Sequence, residues 1–239
     1  MSEGCICRTD SVMEFLPPQG FSLRTLTDAD VDVVARGVSE AFCSREPLTL
    51  GHIHPDQFLQ FSHPVVKASA ASGLSVVLTT SNPSTGQENI VAAMVSEDLA
   101  VSEAHVSSCD DLHEHFTTIF ALLKSLSMAA LKPHRDTVSG KLREGEIFHC
   151  FLGYTQEGFE GLGLGKVIRQ AAIRRASSLG FKILLVEATN PVTRHIWKKS
   201  FSANEHTVLR PCDFHINGDR PWRELEVGQE IASLTITLC

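Results

Sequence analysis

The chain contains no apolar run of membrane-spanning length. Its first ten residues, MSEGCICRTD, lack a basic stretch followed by an apolar one, so no secretory signal is expected. Cysteine occurs seven times, an odd and scattered set without the paired spacing of a metal site. Cys5 and Cys7 form only C-x-C. Thiols of this kind suit a reducing, cytoplasmic compartment rather than a disulfide framework. Positive charge is also short, with a formal net charge of −7. That argues against nucleic acid and anionic membranes as partners and suits a cationic small substrate. There is no internal repeat. Histidine is plentiful, but His52-x-His54 and His113-x-His115 have i,i+2 spacing, which does not bring both rings to one helix face. No metal is expected, and His63 and His149 read as packing or surface residues.

What is present is enough apolar sequence for a substantial core in 239 residues. Residues 1–20 read as a loose tail ending at Pro17-Pro18, and 21–239 as one domain. Phe21–Arg24 reads as a short edge strand. Thr27 offers a helix cap ahead of the apolar stripe Val31, Val34, Val38, Ala41 and Phe42. A second helical region spans about 55–72. Gly73–Thr80 and Asn89–Val95 form an expected hairpin about a turn at 82–87. Asp110–Leu131 repeats Leu112, Phe116, Ile119, Phe120, Leu123 and Leu126 at helical spacing. Lys132–Glu144 is a polar loop, and the last strands fall at about Thr207–Arg210 and Ala232–Leu238.

The most informative stretch lies between these, from Ile147 to Phe201. Ile147–Tyr154 has strand length. The turn Gly158-Phe159-Glu160-Gly161-Leu162-Gly163-Leu164-Gly165 follows, and a helix begins near Lys166. Gly180 sits where a helix-terminating glycine belongs. Lys182–Ala188 reads as a buried strand. A glycine turn entering a helix suits an anion, because the first N–H groups have no internal partner and the helix end is partly positive.

Three nucleotide-binding patterns can be compared with this turn. A P-loop fails because Glu160 holds its first glycine position and Val167 its Ser/Thr position. A dinucleotide fingerprint fails because Lys166 and Ile168 stand where its last glycine belongs. The pattern [QR]-x-x-G-x-[GA] fits Gly163 and Gly165, with Glu160 in the Arg/Gln place. With its strand, helix and second strand in order, this block resembles motif A of the GNAT acetyltransferases.

The resemblance runs from about Ser22 to Leu238. It implies an α/β three-layer fold, with a mixed, mainly antiparallel central sheet flanked by helices. It also implies acetyl-CoA as cosubstrate, held by Gly153, Tyr154, Thr155, Glu160, Gly161, Leu162, Gly163, Leu164, Gly165, Lys166 and Asn190. Within the family, Glu46-Pro47-Leu48 is similar to a motif of insect arylalkylamine N-acetyltransferases in which the glutamate is the proposed general base. The chemistry agrees. An amine arrives as an ammonium ion with a pKa near 10, and a nearby carboxylate can take its proton. Asp56 and Glu40 are weaker candidates. The implied reaction is direct acetyl transfer to a small primary amine, arylalkylamines leading and polyamines or agmatine next. Protein acetylation and a non-catalytic acyl-CoA-binding module are the alternatives. The resemblance leaves monomer and homodimer equally open.

Two departures stand out. Glu160 would set a carboxylate near pyrophosphate, a repulsion that Lys166 or Arg169 could offset. Trp197 occupies the place of a tyrosine general acid, and Tyr154, the chain's one tyrosine, lies on the cofactor strand. Thr189 and Thr193 match the serines assigned to the insect enzymes. Thr189 also reads as the cap of the last helix.

Overall fold

A computed structural model describes residues 14–81, 85–106, 114–225 and 228–238. Cys5, Cys7, Leu112, His113 and the centre of the expected 82–87 turn lie outside this range.

The strands are β1 (Phe21–Thr25), β2 (Val76–Ser81), β3 (Glu88–Asp98), β4 (Ile147–Thr155), β5 (Ile183–Ala188), β6 (Asn204–Leu209) and β7 (Ile231–Thr237). They form one seven-stranded sheet in the order β1-β2-β3-β4-β5-β7-β6. Every pairing is antiparallel except β4 with β5. The helices are α1 (Val31–Arg45), α2 (Pro55–Ser72), α3 (Leu99–Val106), α4 (Glu114–Leu131), α5 (Leu164–Ser178) and α6 (Pro191–Phe201).

Side-chain alternation explains the three layers. Val76, Leu78, Met94, Phe148, Cys150, Leu184 and Val186 face one way and pack with Val167, Ile168, Ala172 and Ala176 of α5 and Trp197 of α6. Val77, Ala93, Val95, Leu152 and Tyr154 face the other way, against Val34 and Val38 of α1, Phe58 and Val66 of α2, and Phe116, Leu122 and Leu126 of α4. The mixed, mainly antiparallel sheet expected from sequence is therefore present. Several elements differ from the sequence reading, β2 starting at Val76 and β3 running on to Asp98. Leu99–Val106 is a helix that was not anticipated. α5 starts at Leu164 because Gly163, with φ +77°, serves as its N-cap. The last two strands begin three residues and one residue earlier, at Asn204 and Ile231. A further difference is at the N-terminal side. The described end of the expected tail is docked on α5 and α6, where Phe15 meets Phe201 edge-on at 5.5 Å. The Phe15 N–H donates to the Gln170 side chain, and Glu14 pairs with Arg174.

The β3–β4 register slips between Val95 and Ser96, where Val95 opposes Leu152 and Ser96 opposes Cys150. Phe151 is thus the extra residue of a bulge, and the bulge turns it toward the rings of Phe61 and Phe120. Its neighbour His149 is no ordinary packing residue. It is 5% exposed and lies between Glu97 at 2.8 Å and Glu187 at 2.6 Å. The Ser127 hydroxyl donates to Glu187 as well. Burial opposes the imidazolium, but Glu187 and then Glu97 outweigh it and raise its pKa to about 10. Among the described residues no helix is long and apolar enough to cross a membrane.

Removing the imidazolium would leave two carboxylates facing each other, Glu187 almost fully buried. His149→Gln should therefore cost about 3–5 kcal/mol, measured by denaturant unfolding. The raised pKa gives a contribution present below pH 6.5 and lost as pH rises through about 10. The variant should lack that alkaline loss. A variant as stable as the parent across the range would show that the cluster contributes nothing.

Candidate active site

β4 and β5 pair only through Ile147–Ile183, Phe148–Leu184 and His149–Leu185. Beyond these the two strands diverge, although β4 stays paired with β3 as far as Thr155. A parallel pair that splits leaves one edge of β4, from about Cys150 to Tyr154, with main-chain groups facing an open wedge. The wedge is part of a cavity of about 650 Å³. α5 and α6 flank it on one side of the sheet and the end of α1 on the other.

At the mouth lies the glycine turn. Gly161 and Gly163 have φ of +76° and +77°, and a Cβ at either would meet nothing within 4 Å. Glycine is needed there for backbone conformation, not for space. Among the described residues, the N–H groups of Gly161, Leu162, Gly163 and Leu164 donate to no carbonyl. They form a cradle at the positive end of a fifteen-residue helix. The Leu164 side chain belongs to the core at 1% exposure, whereas that of Leu162 is exposed. Lys166 lies 5.3 Å over the Phe15 ring.

The repulsion expected of Glu160 does not arise in the form the sequence suggests. Its Oε1 accepts from Arg45 Nη1 at 2.7 Å and its Oε2 from the Gly158 N–H at 2.7 Å. Its own N–H, the Gly158 N–H and Arg45 hold the carboxyl below the usual range. Glu160 thus ties the turn to α1. Arg45 also donates to the Thr155 carbonyl at 2.8 Å, one of the main-chain groups expected to meet a ligand.

That clamp brings Glu46 to the site. α1 can approach β4 because Gly37 leaves room for the Tyr154 ring, which a Cβ would meet at 2.5 Å. Tyr154 therefore points into the core away from α5, and burial raises its pKa beyond the normal tyrosine range. The turn after α1 is fixed by Thr49 Oγ1, which donates to Phe42 O at 2.6 Å, and by Trp222 Nε1, which donates to Leu48 O at 3.2 Å. Glu46 is half-buried as a residue, but its carboxyl end is enclosed. The Thr189 hydroxyl and the Leu48 N–H donate to it, while Oε1 has no partner. Burial raises its pKa to about 7, against the opposing pull of Thr189 and Leu48. Asp56 and Glu40 are absent from the cavity lining.

Asn190, not Thr189, caps α6, its side chain accepting from the Val192 N–H at 2.9 Å. Thr189 is left to bond Glu46. Thr193 lines the cavity from the first turn of α6 and accepts from Arg169 Nη2 at 3.4 Å. Cys150 is buried, with its pKa pushed up to about 12, and is no nucleophile at neutral pH. The sequence reading missed the inner wall, a cluster of Phe42, Phe58, Phe61, Phe116, Phe120 and Phe151. Only the helical spacing of Phe116 and Phe120 hinted at it. Among the described residues no three His, Cys, Asp or Glu are grouped to hold a metal ion.

Solved structures of the same architecture place this arrangement in a known fold. The C-terminal condensation domain of Ebony, in complex with beta-alanyl-dopamine, superposes with a TM-score of 0.75 at 14% identity, over 91% of this chain and 99% of that one. This is the fold of the GNAT acetyltransferases. Polyamine N-acetyltransferase of Drosophila melanogaster, which forms N-acetylagmatine, gives a TM-score of 0.68 at 17% identity over 91% of this chain and 100% of its own. Arylalkylamine N-acetyltransferase 2 from Aedes aegypti gives 0.67 at 17% identity over 92% and 99%. No family model matches the chain, and no curated protein matches it by sequence.

The raised carboxyl pKa has a measurable consequence. Between pH 4.5 and about 7 the folded state binds more protons at Glu46 than the unfolded state does, so stability falls as pH rises through that window. Glu46→Gln should be more stable than the parent at pH 8, by up to about 3 kcal/mol, with the gap closing near pH 4. A difference that does not change with pH would remove the buried carboxylate as its cause.

Proposed function

We propose that the protein is an acetyl-CoA-dependent N-acetyltransferase acting on a small primary amine. The observation that carries this reading is one cavity holding three things: an anion cradle at the start of α5, a split strand edge, and an enclosed carboxyl with a pKa near neutrality. The residues fit the cosubstrate. Main-chain N–H groups of 161–164 suit pyrophosphate, whose charge needs no matching side chain. The free edge of β4 at Gly153–Thr155 suits the amides of a pantetheine arm, which can pair there as a strand would. When bound, the cosubstrate supplies an activated acetyl group.

Glu46 takes the proton of the incoming ammonium ion, and a pKa near 7 suits a base working at neutral pH. Thr189 orients that carboxyl. An N–H of β4 in the wedge polarises the carbonyl under attack. The phenylalanine wall favours an arylalkylamine. A polyamine would need a second free carboxylate in the cavity, and Glu187 is already held by His149. Ring-on-ring contacts with such a wall are worth about 0.5–1.5 kcal/mol each beyond the area they bury.

Acetyl-CoA should raise Tm by mass action, equivalent to about 2.7 kcal/mol at a hundredfold excess over Kd. Gly163→Asp, which puts a carboxylate in the cradle and a side chain at φ +77°, should abolish the shift. No shift with the parent at millimolar acetyl-CoA would overturn the assignment. In an amine panel assayed by CoA release, Glu46→Gln should lose about 10²–10⁴-fold in turnover at pH 7 while still binding acetyl-CoA. The deficit should shrink at high pH, where the amine is already neutral. Parental turnover at pH 7 would show that Glu46 is not the base.

A further inference from the structure

Two further polar atoms in the cavity have no partner. They are Arg169 Nε and Trp197 Nε1, both donors and both enclosed. Among the described residues Arg169 takes part in no ion pair. Its Nη1 donates to Gly165 O at 2.7 Å and its Nη2 to Thr193 Oγ1 at 3.4 Å. Its guanidinium lies 5.6 Å over the Trp197 ring. A Cβ at Gly165 would come within 3.1 Å of Nη1, so the second glycine of the motif makes room for this side chain. Arg169 thus reaches from α5 to α6 across the wedge and lies near the Cys150 thiol of β4. Cys150 and Val186 mark the level at which β4 and β5 begin to separate.

A half-buried guanidinium with an enclosed Nε and no carboxylate is costly and needs a reason. Burial lowers its pKa only to about 10, so it stays charged at neutral pH. An arm that enters at the cradle and follows the edge of β4 inward passes this cation, which lies along its path between Thr193 and Cys150. Trp197 stands beside it and cannot act as an acid.

Building on the acyltransferase reading, we propose that Arg169 holds the departing sulphur as a thiolate, so that the reaction needs no general acid. The amine nitrogen, its ammonium proton already passed through Glu46 to water, forms the new C–N bond, and the second proton it sheds passes to the Glu46 carboxylate. The C–S bond breaks, and its electron pair stays on sulphur against the guanidinium. The thiolate takes up a proton afterwards, from Glu46 or from water. Arg169 also donates to Thr193, which fixes the fork over the indole.

The test is the ionisation of the CoA thiol in its complex with the full chain, followed by ultraviolet thiolate absorbance against a desulfo-CoA blank. A free thiol has a pKa near 8.5. In the parent complex it should lie at least tenfold in acidity below that, and Arg169→Lys should keep part of the shift. Arg169→Met should bring the value back to about 8.5 or higher. It should also lower kcat by about 10²–10³-fold with little change in acetyl-CoA affinity. A bound thiol in the parent that titrates at or above 8.5 overturns the proposal, whatever the variants do. So does an Arg169→Met complex that titrates like the parent. Failure of the parent to bind CoA at all would instead remove the acyltransferase reading on which the proposal rests.

Discussion

The site depends on one break in backbone pairing. β4 and β5 are hydrogen-bonded at three positions and then part, because β5 goes on to pair along its length with β7 while β4 stays with β3. A buried strand edge with open hydrogen-bonding groups is unfavourable on its own. Here that edge opens to the cavity instead of being packed over. The positions of the two flanking helices follow from the same break. α5 leaves the end of β4 and α6 leaves the end of β5, so their N-terminal turns meet at the mouth. Arg169 and Thr193 are brought within contact there.

The ionisable groups around the wedge are segregated by environment. His149, Glu187 and Glu97 form a closed cluster whose charges satisfy one another. Among the described residues Glu46 and Arg169 have no partner of opposite charge, and each has one enclosed polar atom unmet. Burial moves the two pKa values toward neutrality from opposite sides, up for the acid and down for the base. Glu160 and Arg45 neutralise each other at the rim and join the turn to α1. The rim thus ties the turn to α1, and the interior holds two ionisable groups with enclosed polar atoms.

The strand–turn–helix–strand block was legible in the sequence, because it depends on local rules. Apolar runs of strand length, glycines at positive φ and an apolar stripe at helical spacing act over a few residues each. Gly163 and Gly165 could be placed on that basis, and Glu46 through its motif. The cap of α6 was misplaced by one residue because Thr189 and Asn190 have similar capping propensities; what separates them is that Glu46 claims the threonine hydroxyl. Helix α3 was missed because a short apolar stretch has no clear period. Glu160 was read as a repulsive charge because its partner, Arg45, is distant in sequence.

The sequence by itself determined the fold class, the order of the elements other than α3 and the turn that begins α5, since those follow from periodicity and backbone preference. Tertiary structure alone decided which side chains share the cavity. Six phenylalanines from α1, α2, α4 and β4 meet because a bulge re-aims one of them and helix packing gathers the rest. His149 became an imidazolium, and Arg169 a half-buried cation without a carboxylate among the described residues, through neighbours elsewhere in the chain. Charge state and solvation are set by what surrounds a group in space, and pattern along the chain does not encode that.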